Sequence, residues 1–135
     1  MIQLSVFLED QPGELAKFIK LLMENKIFIR ALTVAKTSEY GLLLILVDKT
    51  EKCIDLLEEN NYMYSISDVI AVKMNNNPNA LYEIPKVMGD KNLNIDYCYS
   101  TFVKEEPLLI LRVEDDIIER ATKTLEESGF SIIEK

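Results

Sequence analysis

The chain has 135 residues, of which 48% are hydrophobic and 28% are charged, and its formal net charge is -8. A chain of this size and composition can bury a core, either as one domain or as two small ones. The acidic balance argues against a nucleic-acid partner, whose phosphates require clustered lysines and arginines, and the absence of histidine removes the commonest general base and metal ligand.

The first half of the chain is predicted to fold in the order strand, helix, strand, strand, helix, strand. The predicted strands are Ile2–Leu8, Ile27–Ala35, Leu42–Val47 and Met63–Ser67, and the helices run from about Pro12 to Asn25 and from Asp48 to about Asn60. The third strand is so dense in aliphatic side chains that we expect it to be central. A turn is predicted at Thr37–Gly41, and Asp48 with Glu51 resembles a capping box.

The second half repeats this order about 66 residues later. The predicted strands are Val69–Met74, Leu93–Tyr99, Leu108–Val113 and Phe130–Ile133; one helix runs from Pro78 to about Lys91, and another starts at Asp116 and Glu119 and is closed by Gly129. A turn is predicted at Glu105–Pro107. The repeat predicts an α+β protein of two βαββαβ units, residues 1–67 and 68–135, which no linker separates.

Three residues stand out from this pattern. Pro85 falls inside the third predicted helix, where it removes a hydrogen bond to Leu81, so we expect a kink or an irregular turn. Cys53 and Cys98 lie in apolar patterns without a CxxC motif, which predicts two buried, reduced thiols.

The junction between the first strand and the first helix has the composition of a binding loop. Pro12 suits a first helical turn, and Gly13 lets a ligand approach the backbone closely. The unpaired N–H groups at a helix N-terminus attract a carboxylate or another anion. The same pattern returns in the second half, where Asn79 stands at the position of Gly13.

Two such units, with the loops Asp10-Gln11-Pro12-Gly13-Glu14-Leu15 and Asn76-Asn77-Pro78-Asn79-Ala80-Leu81, resemble the ACT domain, a small-molecule sensor of many amino-acid biosynthetic enzymes. The resemblance covers essentially the whole chain and leaves no catalytic domain over. It implies a free-standing tandem ACT protein with ferredoxin-like units, each a four-stranded antiparallel sheet with its helices on one face. It also implies that an amino acid is held between two ACT units, where the loop of one meets the second strand of the other.

The resemblance carries over to particular residues. Asp10 and Asn76 match the polar loop residue of the family, and serine-sensing members have an asparagine 18 residues further on, where this chain has Phe28 and Asn94 respectively. The implied ligand-binding residues are Asp10, Gln11, Pro12, Gly13, Glu14, Leu15, Asn76, Asn77, Asn79, Ala80, Leu81, Asn94 and Ile95.

If the units pair as serine-type ACT dimers do, the first loop meets Asn94 and the second meets Phe28. We therefore expect one effective site and one degraded site, or a homodimer if the half-sites pair between chains. A purely structural interpretation also fits these residues, since Asp10, Asn76 and Asn77 are good helix caps and Asn94 suits a strand edge.

The sequence thus predicts a non-enzymatic regulatory protein that binds a small molecule, with no catalytic residue, metal or cofactor. Neither loop contains a basic residue, which favours a neutral amino acid over an acidic one. We expect a homodimer or a metabolic enzyme as partner, no nucleic acid or membrane, and a cytoplasmic location. The alternative is a ligand-independent regulatory subunit that dimerises through its sheets.

Three other functions of the βαββαβ fold are disfavoured by the residues. Acylphosphatase chemistry would need an arginine in the loop, RNA binding would need exposed aromatic side chains and positive charge, and a metal chaperone would need a CxxC motif.

Overall fold

A computed structural model describes residues 1–36 and 40–134. The chain divides into two compact units, one of residues Ile2–Ser67 and one that begins at Asp68 and includes Met1. Of the turn predicted at Thr37–Gly41, the residues Thr37–Glu39 lie outside the described part of the chain. Tyr40 and Gly41 already belong to a strand.

The first unit is a single four-stranded sheet with two helices. Its elements are β1 (Ile2–Glu9), α1 (Glu14–Glu24), β2 (Ile29–Lys36), β3 (Tyr40–Val47), α2 (Thr50–Glu59) and β4 (Met63–Asp68). The strands lie in the order β2-β3-β1-β4, so the prediction that the aliphatic third strand is central is confirmed. β3 is antiparallel to both neighbours, with Val6 opposite Leu43 on one side and Leu32 opposite Ile45 on the other.

Side-chain alternation along the strands decides where the helices of this unit pack. Leu4, Val6 and Leu8 are buried in one cluster, as the twofold period of a strand requires for residues on one face. Phe18 from α1 and Leu57 from α2 belong to the same cluster. Both helices therefore cover the same face of the sheet.

The second unit has the same topology. Its elements are β5 (Ile70–Lys73), α3 (Ala80–Asp90), β6 (Tyr97–Val103), β7 (Glu106–Arg112), a 3-10 turn (Asp115–Ile117), α4 (Ile118–Glu127) and β8 (Ile132–Ile133). The strand order is β6-β7-β5-β8, and Val72, Leu109, Ile84 and Leu125 share one buried cluster. Two four-stranded antiparallel sheets with the βαββαβ order are thus present, and the predicted fold class is confirmed.

The predicted helix starts were wrong. α1 and α3 begin at Glu14 and Ala80, after the prolines that were expected to open them. The capping box at Asp48 does not form, because its carboxylate accepts a hydrogen bond from the backbone N–H of Phe28 at 2.9 Å. In the second unit a 3-10 turn precedes α4, and no side chain caps that helix.

Strand boundaries in the second unit also differ from the prediction, and β8 comprises only Ile132–Ile133 of the predicted Phe130–Ile133. β6 begins at Tyr97 and not at Leu93, because Asn92 has a left-handed φ of 57° and the N–H of Leu93 donates to the carbonyl of Met88 at 2.9 Å, which makes Leu93 part of the end of α3. The hairpin turn is Lys104-Glu105, both with positive φ (51° and 66°), so Glu106 and the proline after it already pair in β7.

Two single-residue expectations were also wrong, the first of them only in part. Of the two alternatives expected at Pro85, the irregular turn is absent from the described residues, because α3 runs unbroken from Ala80 to Asp90; the kink stays a prediction. Cys98 is exposed, because it lies on β6 at the edge of its sheet, whereas Cys53 is buried as predicted.

Candidate functional site

The junction between β1 and α1 is a tight turn closed by backbone hydrogen bonds. The N–H of Gln11 donates to the carbonyl of Glu9 at 2.9 Å, and the N–H of Glu14 donates to the carbonyl of Gln11 at 3.3 Å. Gly13 then takes a left-handed conformation, with φ of 88°, directly before the helix. Among the described residues other than its chain neighbours, none has an atom within 4 Å of a Cβ built at Gly13, so these residues leave the space beside this backbone open.

The N-terminus of α1 that this turn exposes has no side-chain cap. Among the described residues, no acceptor is found for the N–H groups of Leu15 and Ala16, which lie in the first helical turn. Unpaired N–H groups at a helix N-terminus carry partial positive charge and bind anionic groups. The first loop can therefore offer backbone donors to a carboxylate.

Asp10 does not cap the helix. Its Oδ2 lies 3.0 Å from Nζ of Lys36 at the end of β2, and both side chains are exposed to solvent. An exposed ion pair of this kind stabilises a fold by no more than about 1 kcal/mol. The Asp10 carboxylate can therefore exchange Lys36 for another cation, such as an ammonium group, at low cost.

A groove of about 1000 Å³ lies beside this loop, entirely within the first unit. Its walls come from the end of β1, the start of α1, the start of β3, the end of α2 and the start of β4. The lining residues are Phe7, Leu8, Glu9, Asp10, Gln11, Glu14, Lys17, Tyr40, Asn60, Asn61, Tyr62 and Met63. Of the predicted ligand-binding residues, Asp10, Gln11 and Glu14 line the groove. Pro12 and Gly13 lie in the turn before α1, and Leu15 lies in the first turn of the helix.

Sequence reasoning missed the far wall of this groove, Asn60–Met63. These residues are distant from the loop in sequence and reach it because β4 lies beside β1 in the sheet. Asn61 adopts a left-handed φ of 59°, and the N–H of Tyr62 donates to the carbonyl of Leu57 at 2.9 Å. This is a Schellman ending of α2, for which the pair Asn60-Asn61 was the available sequence signal.

The loop between β5 and α3 has a different conformation. Here the left-handed angles fall on Asn75 and Asn76 (φ of 47° and 55°), whereas Asn79 has φ of -96°. The Asn77 Oδ1 accepts the N–H of Asn79 at 2.9 Å, and the Asn77 carbonyl accepts the N–H of Ala80 at 3.1 Å. Among the described residues, the first turn of α3 leaves only the N–H of Leu81 without an acceptor, because the N–H of Tyr82 donates to the carbonyl of Asn79 at 3.0 Å, whereas the first turn of α1 leaves two.

The remaining predicted residues of the second unit are divided between core and surface. Ala80 is fully buried, and Ile95 packs against the same core. Leu81 is 60% exposed. Asn94 is exposed, and its Nδ2 donates to Oδ1 of Asp96 at 3.3 Å in the segment before β6.

A comparison with known protein families identifies the family that these loops and this topology indicate. The model of the ACT domain pair matches residues 1–135. The chain belongs to the ACT domain pair family. None of the curated proteins matches this ACT pair in sequence.

Solved structures with the same fold include regulatory proteins. A protein from Bacteroides thetaiotaomicron is similar with a TM-score of 0.88 and 25% identity, covering 98% of this chain and 90% of that one. The regulatory subunit of aspartate kinase from Thermus thermophilus, in a ligand-free form, has a TM-score of 0.66 and 16% identity, with 95% and 92% covered. Aspartate kinase from Clostridium acetobutylicum gives 0.59 and 15%, with 94% of this chain but only 32% of that enzyme covered.

No helix in residues 1–36 and 40–134 is both long and apolar enough to cross a bilayer. Within the same residues, His, Cys, Asp and Glu form no group of three or more that could hold a metal ion.

Proposed function

We propose that this ACT pair is a non-catalytic regulatory protein that binds an amino acid at the junction of β1 and α1 in its first unit. The observation that carries the proposal is the uncapped N-terminus of α1, exposed by the left-handed Gly13 beside a groove of about 1000 Å³. Membership of the ACT domain pair family supports a ligand-binding role, and the similarity to the regulatory subunit of aspartate kinase supports a regulatory one.

The chemistry of the loop suits the two charged ends of an amino acid. The α-carboxylate would accept hydrogen bonds from the N–H groups of Leu15 and Ala16, for which the described residues provide no acceptor. The ammonium group would replace Lys36 as the partner of Asp10. Since the Asp10–Lys36 pair is exposed, this exchange gives up little stability.

The two loops of the chain are not equivalent in this proposal. In the second loop the N–H of Asn79 is paired with Oδ1 of Asn77 and the N–H of Tyr82 with the carbonyl of Asn79, so a ligand would have to displace those bonds. We therefore assign the effective site to the first loop. Asn94, which is exposed, remains the sequence-based candidate for a second polar contact.

Regulation would follow from differential affinity. A ligand shifts an equilibrium between two arrangements of a protein only by as much as it prefers one of them. A bound amino acid would thus favour one arrangement of the ACT units, and a metabolic enzyme or a second copy of the chain would respond to that arrangement.

A thermal-shift screen of the full chain against the amino acids tests this proposal. A ligand that binds only the folded state stabilises it by about 2.7 kcal/mol at a concentration of 100 times Kd, so at least one amino acid should raise Tm clearly. Gly13→Ala should weaken the shift, and Asn79→Ala, at the equivalent position of the second unit, serves as the matched control that should not. If no amino acid raises Tm, the ligand-independent regulatory subunit is the better explanation.

A further inference from the structure

We infer that the groove of the first unit selects amino acids with a large uncharged side chain, aromatic or long aliphatic, over small or acidic ones. The inference rests on the proposed function and assigns the ligand class of that site. It follows from three properties of the groove walls: their aromatic surface, their extent and their charge.

Two aromatic pairs hold the apolar surface of the groove in place. The rings of Phe7 and Tyr40 meet edge to face with centroids 5.1 Å apart, and Tyr62 packs in the same manner against the buried Phe18 at 5.2 Å. Edge-to-face pairs restrict ring orientation, so this surface is formed before a ligand arrives. Met63 completes it with a flexible thioether side chain that is 71% exposed.

The extent of the groove favours a long side chain. A volume of about 1000 Å³ is at the upper end of the range of roughly 300–1000 Å³ for small-molecule sites. The backbone of an amino acid anchored at α1 would leave Tyr62 and Met63 in water unless its side chain extended along the groove. A large apolar side chain would cover them, and each Å² of apolar surface that is removed from water contributes about 25 cal/mol.

The charge of the groove disfavours an acidic side chain. Glu9, Asp10 and Glu14 line it, and Lys17 is the one basic residue among the lining residues that the structure describes. Lys36, which pairs with Asp10 at 3.0 Å, is not among the lining residues, so once the ligand ammonium has taken its place at Asp10, the carboxylates of Glu9 and Glu14 face the one ammonium of Lys17. Like charges brought together across a binding surface suppress the wrong partner. Aspartate and glutamate should therefore bind more weakly than neutral amino acids of similar size.

Isothermal titration calorimetry of the full chain tests this with phenylalanine, leucine, methionine, alanine and glutamate. We expect phenylalanine, leucine or methionine to bind at least about tenfold more tightly than alanine, and glutamate to bind more weakly than methionine. Met63→Ala should reduce affinity for the large side chains by about threefold or more without changing that for alanine. Met23→Ala is the matched control, because Met23 is 69% exposed on α1 and does not line the groove.

The failures of the two proposals differ. If alanine or glutamate binds most tightly, or if Met63→Ala behaves like Met23→Ala, the inference about the side chain is overturned while amino-acid binding stands. If no amino acid binds at all, both are overturned. Glu14→Gln gives a second test, since it should reduce the difference in affinity between glutamate and methionine. An unchanged difference would contradict the electrostatic part of the inference.

Discussion

Equivalent residues of the repeat have different backbone conformations. Gly13 is left-handed, whereas Asn79 is not, and the left-handed angles of the second loop fall on Asn75 and Asn76. Glycine and asparagine both tolerate positive φ, so the sequence alone could not place these angles. The hydrogen bonds of Asn77 decide the conformation of the second loop, and the first loop has no such side chain.

Gly13 provides the sharpest prediction at the scale of single residues. Gly13→Ala should lower the free energy of unfolding by about 1 kcal/mol, because a Cβ at φ of 88° is strained even where nothing touches it. Gly89→Ala is the matched control, since Gly89 lies inside α3 with open space around it and alanine should stabilise that helix by roughly 0.5–1 kcal/mol. Urea unfolding followed by circular dichroism measures both. Equal effects of the two substitutions would contradict the left-handed turn.

The buried thiol of Cys53 predicts a pH dependence. Burial raises the pKa of Cys53 from 9.0 to about 11 in the folded chain, which favours the neutral form there. Its contribution to stability is therefore complete below pH 9 and is lost as the pH rises towards 11. Burial also raises the pKa of Tyr99, which acts in the same direction at higher pH.

The contribution of the Cys53 thiol can be isolated by comparing how steeply the free energy of unfolding falls with pH in different variants. The free energy of unfolding, measured in urea at pH 8, 9 and 10, should fall less steeply for Cys53→Ala than for the unaltered chain. Cys98→Ala should keep the original slope, since Cys98 is exposed. Parallel slopes for all three proteins would show that the Cys53 thiol does not titrate differently on unfolding.

The order of the elements could be predicted from the sequence, but several of their ends could not. Hydrophobic periodicity and the repeat were sufficient for the eight strands and four α-helices that residues 1–36 and 40–134 form. The aliphatic density of Leu42–Val47 placed β3 at the centre of its sheet. The ends depend on tertiary hydrogen bonds. Asp48 was expected to cap α2, yet its carboxylate binds the N–H of Phe28, and no local pattern shows that pairing.

The hairpin between β6 and β7 gives a prediction at the element scale. Lys104 and Glu105 both have positive φ, the geometry that a two-residue turn normally gives to Asn-Gly. The double substitution K104N/E105G should therefore raise the free energy of unfolding by about 1 kcal/mol. The shifted substitution E105N/E106G is the control, since Glu106 is already paired with Val103 in the sheet. If E105N/E106G were more stable than K104N/E105G, the observed register of the β6–β7 hairpin would be contradicted.

At the scale of the whole molecule, one topology occurs twice and carries two different loops. The repeat made the duplication predictable, and the residues at Gly13 and Asn79 indicated that the loops would differ. The groove itself could not be predicted, because its far wall lies near the loop only as a result of β4 being the neighbour of β1 in the folded sheet. Amino-acid binding as proposed therefore depends on the first loop and the groove beside it, with a single effective site per chain.

The stoichiometry of binding tests that claim most directly. Calorimetric titration of the full chain with the amino acid that gives the largest thermal shift should show one site per chain. Asp10→Ala should weaken binding by about tenfold or more, as expected for a charge-assisted contact, whereas Asn76→Ala should leave it unchanged. Two equal sites per chain, or a loss of binding with Asn76→Ala and none with Asp10→Ala, would contradict the account.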